Sequence, residues 1–539
     1  MNHLPIQILI PMSGQGTRYQ NAGYKMPKPL IPVSQVPMIS RLLSNFPQNW
    51  TVTFVMAKNH KNTDLPELLS QLRPNENQLF IDEHKLGPSH AVLEGLKHIN
   101  EDSPVLVSYC DYAMVWDARQ FERFVQDSEC DACLISYRGF HAHYLSPVPY
   151  AYSKMDGERV TRVKEKGCFT DNRENEFASC GAYYFKSARL LKEAINFQIE
   201  NNLQLNGEYY TSLTVQALLQ KKPESHVRIF EIPGFFQWGT PEDLQNFEYW
   251  ERTFKSLNKN VSSKNECSQI LMPMAGAGSR FSKLTDVPKP LIPVNRTPMF
   301  LAALHSLPAA HTNVFICLEQ FRPQISMALH SDSKIQNTKI NSLPETPPGQ
   351  AFSTAEGLNN LDETGDIIIS SCDHSIVLDH KKWKEFTNNS NCDAAIFTVK
   401  GFPGTRRSPK SFAYVAAHHD DETFQSVKNV SVKIPISENP SLDHLLVGTF
   451  WFKNKFILTQ GLNALRAKNP LVNNELYLDS IFECLIQLGF KVRIIELDGY
   501  INWGDPDSLA EALYWQEMFL GHRIDQRNRF PGVTSNASV

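Results

Sequence analysis

No stretch of the 539-residue chain approaches the ~20 consecutive apolar residues of a membrane-spanning helix. Its first residues, Met1-Asn2-His3-Leu4-Pro5, carry no basic cluster and run straight into an apolar segment, so no secretory leader is expected. Neither sign of charge dominates. The 53 Lys and Arg face 57 Asp and Glu, for a formal net charge of −4, which argues against a dedicated nucleic-acid or membrane-surface binder. The expectation is a soluble, cytoplasmic protein with no nucleic-acid and no membrane partner. Cysteine is sparse, at ten residues, and the one C-x-x-C, Cys130-Asp131-Ala132-Cys133, has no second pair to complete a zinc site. Its later counterpart, Cys392-Asp393-Ala394-Ala395, has lost the second thiol. Free thiols on buried strands are expected instead.

What the chain does have, it has twice. Pro11-Met12-Ser13-Gly14-Gln15-Gly16-Thr17-Arg18 is followed by Pro27-Lys28-Pro29-Leu30-Ile31-Pro32-Val33. Pro273-Met274-Ala275-Gly276-Ala277-Gly278-Ser279-Arg280 is followed by Pro288-Lys289-Pro290-Leu291-Ile292-Pro293-Val294. Each copy follows a short apolar run, Ile8-Leu9-Ile10 or Ile270-Leu271-Met272, which reads as a buried strand. A strand opening into a glycine loop can bring backbone N–H groups up to phosphate oxygens, and Arg and Lys add positive charge there. Neither loop has the Gly-Lys pair of a Walker motif. The third glycine of a dinucleotide fingerprint is also missing, with Tyr19 and Phe281 in its place.

The duplication runs the length of the chain. Arg18 and Arg280 are 262 residues apart, as are Asp111 and Asp373, whereas Gly181 to Gly448 and Glu208 to Glu475 span 267. A self-match at this distance is a domain duplication, not a solenoid of ~20–50-residue units. Within each copy strands alternate with helices. Strands are expected at 52–56, 105–109, 132–137 and 182–185, and helices at 89–99, 188–199 and 211–220. Alternation of this kind predicts an α/β fold with a mostly parallel sheet flanked by helices. The domains are expected at 1–254 and 270–520, joined by a polar linker at 255–269 and followed by a polar tail at 521–539.

The Gly-x-Gly-Thr/Ser-Arg loop with Pro-Lys-Pro-Leu-Ile-Pro-Val resembles the signature of the sugar-phosphate nucleotidylyltransferases, the NDP-sugar pyrophosphorylases. The resemblance covers nearly the whole chain, once per half. It departs at the loop's start, where Pro-Met-Ser-Gly and Pro-Met-Ala-Gly replace the family's Leu-Ala-Gly-Gly. It implies two tandem Rossmann-like (GT-A-like) domains, magnesium dependence, and an NTP and a sugar 1-phosphate or similar small phosphate as substrates. It further implies a part in NDP-sugar and polysaccharide biosynthesis. Relatives often self-associate, so pairing of the halves or of whole chains is an expectation. The hexapeptide β-helix that many relatives append is not seen.

Carried over residue by residue, the resemblance implies a phosphate-binding role for Gly14, Gln15, Gly16, Gly276 and Gly278, and a catalytic one for Arg18, Lys28, Arg280 and Lys289. The Pro-Lys-Pro frame itself restricts the lysine's backbone, which suits a positioned charge. Asp111 and Asp373 end buried strands, where open α/β sheets bind ligands, and resemble the family's magnesium Asp. Gln237 and Asn502 stand where a second metal carboxylate is common, and amides are weaker magnesium ligands. The following Thr240-Pro241-Glu242-Asp243 and Asp505-Pro506-Asp507 read as helix caps. Gly87, Ser89, Gly349 and Gln350 match the base-binding region. Gly181, Glu208, Gly448 and Glu475 join the substrate-binding candidates. Val163-Lys164-Glu165-Lys166 resembles the acceptor-binding Glu-Lys motif, and its counterpart keeps Lys433 but has Val432 for Glu165. The N-terminal half is therefore expected to favour a polyhydroxylated acceptor and the C-terminal half to take a less polar one or to turn over slowly. Two rival functions stand beside this one: a glycosyltransferase using an NDP-sugar donor, and a non-catalytic nucleotide sensor or scaffold.

Overall fold

The computed structural model of the chain describes residues 4–145, 150–257, 266–389, 391–418, 423–469 and 475–521. They fall into two compact units, Met1–Glu248 and Tyr249–Val539. The division lies inside the helix Pro241–Leu257. That helix takes the first residues of the expected linker and the strand Cys267–Pro273 takes its last, so the polar run is shorter than its composition suggests. Residues 258–265 and 522–539, which hold the rest of the expected linker and nearly all of the expected tail, lie outside the described residues. No helix among the described residues is long and apolar enough to cross a membrane.

The first unit is built on a nine-stranded mixed sheet flanked by helices. Its core is four parallel strands in the order Val105–Ser108, Gln7–Met12, Thr51–Ala57, Asn77–Ile81. Phe177–Phe185 then pairs antiparallel with Val105–Ser108 and with Ala132–Tyr137, and Val227–Glu231 lies parallel to the latter. Tyr152–Asp156 and Arg159–Lys164 form a hairpin at the far end. Side chains alternate across the sheet as the two-residue period demands. Ile8, Ile10, Val52, Phe54 and Leu106 join one apolar cluster. Leu9, Val55, Val105 and Val107 join another with the helices Ala188–Glu200 and Thr211–Lys221.

The second unit repeats the plan. Ile367–Ser370, Cys267–Pro273, Ala310–Leu318 and Thr338–Leu343 run parallel. His444–Phe452 is antiparallel to the first of them and to Ala394–Val399, which pairs parallel with Val492–Glu496. The expected strand at 182–185 is the second half of the nine-residue strand Phe177–Phe185. Its first half escapes the sequence pattern because Gly181 adopts a left-handed φ of 94° at a bulge between Ser179 and Ala182. All ten cysteines are free thiols, and only Cys168 is less than buried.

Candidate active site

Each glycine loop leaves the carboxyl end of the first parallel strand. Gly16 and Gly278 both hold φ at 63°, and a Cβ on either would stand 3.5 Å and 2.9 Å from the Cβ of Lys28 and Lys289. The left-handed φ favours glycine at both positions, and at Gly278 the close approach to the lysine does so as well. Lys28 and Lys289 each open a single 3-10 turn that starts from a proline. Lys28 Nζ forms an ion pair with Asp111 and donates to the Gly239 carbonyl at 3.3 Å. Lys289 Nζ lies 2.6 Å from Asp373 and 3.3 Å from the Gly504 carbonyl.

Each aspartate is held by a two-stranded ribbon beyond the sheet. Tyr112 pairs with Gln237, and the Trp238 N–H donates to the Asp111 carbonyl at 2.8 Å. In the second unit His374 pairs with Asn502, and the Trp503 N–H donates to the Asp373 carbonyl at 2.8 Å. Burial opposes ionisation of Asp373, but Lys289 and His374 outweigh it and hold the carboxyl far below its ordinary range. Burial also opposes the charge on Lys289, and Asp373 overcomes it, raising the ammonium pKa.

The two amides are committed to neighbours. Gln237 accepts from the Tyr150 hydroxyl and donates to Asp243 at 2.7 Å. Asn502 accepts from the Gly504 N–H at 2.9 Å and donates to Ser508 at 3.0 Å. Asp243 accepts from both the N–H and the hydroxyl of Thr240, at 3.0 and 2.9 Å, and returns its own N–H to that hydroxyl, a full capping box. The same carboxylate also lies near Asp111, which its cap spelling does not reveal. A Cβ on Gly239 would be 3.6 Å from a carboxylate oxygen of both Asp111 and Asp243. In the second unit the box is reversed, with Asp505 as the cap accepting from Ser508. Among the described residues no cluster of three or more His, Cys, Asp or Glu side chains is set to hold a metal. Each half thus offers one strand-end carboxylate. That fits magnesium bound in its common way, through one or two carboxylates plus substrate phosphates.

Gly87 and Gly349 precede the helices Pro88–Gly95 and Gln350–Gly357. A Cβ on either would meet a main-chain nitrogen, of Tyr209 or Leu476, at 2.6 Å. Ser89 is displaced from its expected role. It is wholly buried, its hydroxyl 3.1 Å from that of Thr214 and its N–H on the Tyr209 carbonyl, because it lies on the inward face of its helix. Gln350 donates to Ser371 at 3.1 Å, and Gln15 to Glu83 at 3.2 Å. In the first unit a cleft of about 750 Å³ is lined by Gly14, Gly16, Arg18, Lys28, Gly87 and Glu208 among others. Arg18 and Arg280 are exposed.

The Glu-Lys segment and its counterpart each carry a left-handed lysine, Lys166 at φ 50° and Lys433 at φ 63°. This rare conformation at the same 267-residue offset fixes the alignment of Glu165 with Val432. Lys166 Nζ donates to the Tyr210 hydroxyl at 2.6 Å and lies 4.5 Å from its ring centre, whereas Lys433 Nζ bonds the Ser411 carbonyl at 2.7 Å and lies 5.5 Å from the Tyr477 ring. Burial raises the pKa of both tyrosines, with Glu208 and Glu475 bonded to their hydroxyls as a further cause. Glu165 accepts from the Ser212 hydroxyl, and burial raises its pKa. The Tyr109 and Ser371 N–H groups donate to the carbonyls of Gly181 and Gly448, each at 3.2 Å. Tyr109, Tyr210 and Tyr477 escaped the sequence reading, although the tyrosine after Glu208 and Glu475 recurs at the same offset.

The Bifunctional protein GlmU of Herminiimonas arsenicoxydans is 25% identical over 206 residues, which is 38% of this chain and 42% of that protein. That of Pseudoalteromonas atlantica is 26% identical over 253 residues, 46% of this chain and 53% of that one. The chain thus spans about half the length of these relatives. Similar solved structures include a nucleoside-diphosphate-sugar pyrophosphorylase from Vibrio cholerae RC9, at 22% identity and a TM-score of 0.37 over 46% of this chain and 99% of that one. Another is the inositol-1-phosphate CTP transferase from T. maritima, at 14% identity and a TM-score of 0.37 over 47% and 98%. Residues 8–168 match the family model of the MobA-like NTP transferase domain, and residues 270–516 match that of the nucleotidyl transferases. The chain therefore carries two nucleotidyl transferase family domains in tandem.

Proposed function

We propose that the chain transfers a nucleotidyl group from an NTP to a sugar 1-phosphate or a similar small phosphate. The observation that carries this reading is the lysine–aspartate pair built twice beneath a glycine loop. An acceptor phosphate oxygen forms a bond to the α-phosphorus of the NTP. The bond from that phosphorus to the bridging oxygen breaks, and pyrophosphate leaves with the electron pair. The chemistry needs alignment and charge neutralisation rather than a covalent nucleophile. Lys28 and Lys289 supply fixed positive charge next to the loops, and Arg18 and Arg280 add charge at the exposed side. Lys166 and Lys433 face the acceptor phosphate, and Glu165 orients the acceptor's hydroxyls in the first half. Asp111 and Asp373 would hold magnesium together with substrate phosphates, and the ion would supply further neutralisation of those phosphates.

The test is pyrophosphate release from the full chain with each of four NTPs against a panel of sugar 1-phosphates. One pair or more should support turnover. Lys28→Ala and Lys289→Ala together should lower it by ~10²-fold or more, as loss of a preorganised charge donor does. Unchanged release in the double variant would refute the mechanism. Donor-sugar transfer without pyrophosphate would favour the glycosyltransferase alternative, and nucleotide binding without turnover the sensor.

A further inference from the structure

The expectation of a less polar acceptor for the C-terminal half rests on Val432 alone and leaves out a carboxylate 47 residues further on. The two halves correspond residue for residue around Lys166 and Lys433. Lys166 matches Lys433, Glu208 matches Glu475 and Tyr210 matches Tyr477, all 267 residues apart. At the same offset Ser212, whose hydroxyl bonds Glu165 in the first half, is matched by Asp479. The 3-10 turn Leu478–Ser480 that carries Asp479 packs against the strand Val427–Val432. Asp479 interacts electrostatically with Lys433. The second half has therefore not lost its carboxylate. It carries it on the turn Leu478–Ser480 instead of at the strand end.

Resting on the nucleotidyltransferase reading above, we propose that Asp479 is the acceptor-binding carboxylate of the C-terminal site, and that this site takes a hydroxylated small phosphate. The same trade of positions occurs at the helix cap, where Thr240 and Asp243 of one half become Asp505 and Ser508 of the other. Both acceptor carboxylates share a second property. Burial raises the pKa of both Glu165 and Asp479. The positions facing Gly181 and Gly448 differ too. Tyr109 lies 3.1 Å from where a Cβ on Gly181 would be, whereas Ser371 takes that place beside Gly448. The C-terminal half thus keeps a carboxylate but has the smaller Ser371, with His374 behind it, where the first half has Tyr109, and the two halves should select different hydroxylated acceptors.

The test uses the full chain with the N-terminal site disabled by Lys28→Ala and Glu165→Gln. Calorimetric titration compares hexose 1-phosphates and a polyol phosphate with choline phosphate and inorganic phosphate. At least one hydroxylated phosphate should bind more tightly than choline phosphate. Asp479→Asn, nearly isosteric, should weaken it by roughly ten- to hundredfold, as loss of a charge-assisted hydrogen bond does, with NTP affinity and Tm unchanged. Asp479→Ser combined with Val432→Glu, which rebuilds the N-terminal arrangement, should restore binding. Equal affinity in Asp479→Asn and its parent, or choline phosphate binding as tightly as the best hydroxylated ligand, overturns the proposal. Pyrophosphate release in the same chain is scored separately. Its absence sinks catalysis, while the binding comparison still decides Asp479.

Discussion

At the scale of single residues, the chemistry-bearing groups nearest the glycine loops were legible because they recur in both copies. Their pairing was not. Lys28 and Asp111 are 83 residues apart, and the parallel pairing of Val105–Ser108 with Gln7–Met12, together with the ribbon from Tyr112 to Val115 against Gly234 to Gln237, brings the aspartate under the loop. Asp479 was illegible for a related reason. Its chemistry moved between segments 47 residues apart, so a position-by-position comparison with Glu165 finds only a valine. Burial lifts the Asp479 carboxyl to about 6, despite the Lys433 ammonium that favours its charge, with Glu475 and Arg280 also facing that lysine. The carboxylate accepts hydroxyl hydrogen bonds when ionised, and it loses its charge as pH falls through 6. Acceptor affinity at the C-terminal site should therefore drop between pH 7 and pH 5. Asp479→Asn should flatten that profile, and titrations at three pH values in both proteins would show it.

At the scale of elements, the strand and helix periods marked several strands of the first sheet, left Asn77–Ile81, Tyr152–Asp156, Arg159–Lys164 and Val227–Glu231 unmarked, and could not separate glycines that shape the fold from those that face the ligand. Gly14 and Gly87 illustrate the difference. A Cβ on Gly14 meets nothing within 4 Å among the described residues, and the position lines the cleft. A Cβ on Gly87 would collide with the Tyr209 main chain at 2.6 Å, at a φ of 88° that L-residues rarely adopt. Gly14→Ala should keep the Tm within about 1 °C and weaken NTP binding. Gly87→Ala should lower the Tm by several degrees, consistent with ~1–3 kcal/mol of strain in a domain of this size. Calorimetric melting and nucleotide titration of both variants check the pair, and equal Tm losses would contradict it.

At the scale of the whole molecule, the duplication and its two sheets could be read directly from the 262- to 267-residue offsets. The point of division could not, because the polar composition of 255–269 marks neither the end of one helix nor the start of the next strand. The second unit begins at Tyr249. Its hydroxyl donates to the Tyr500 carbonyl at 2.8 Å and accepts the Tyr500 N–H at 3.0 Å, and Trp250 and Phe254 are each 1% exposed. Truncating a buried aromatic costs ~3–5 kcal/mol, and losing three exceeds the stability of most domains. Residues 249–539 should melt cooperatively on their own, whereas residues 263–539 should not. Circular dichroism melts of the two fragments decide this.

The ion pairs of Lys28 with Asp111 and Lys289 with Asp373 make each site its own counter-ion in the absence of substrate. An NTP arriving alone must draw the ammonium away and leave a bare carboxylate beside its phosphates. A divalent cation arriving alone must displace the ammonium and leave it without a partner. Arriving together, each ligand supplies what the other strips away. Nucleotide and metal should thus bind synergistically, with NTP affinity at least tenfold higher in saturating magnesium than in chelator, and magnesium affinity raised by NTP in the same ratio. Asp111→Asn combined with Asp373→Asn should erase that reciprocity. The resting chain would then be a latch that opens only to the complete NTP–metal complex.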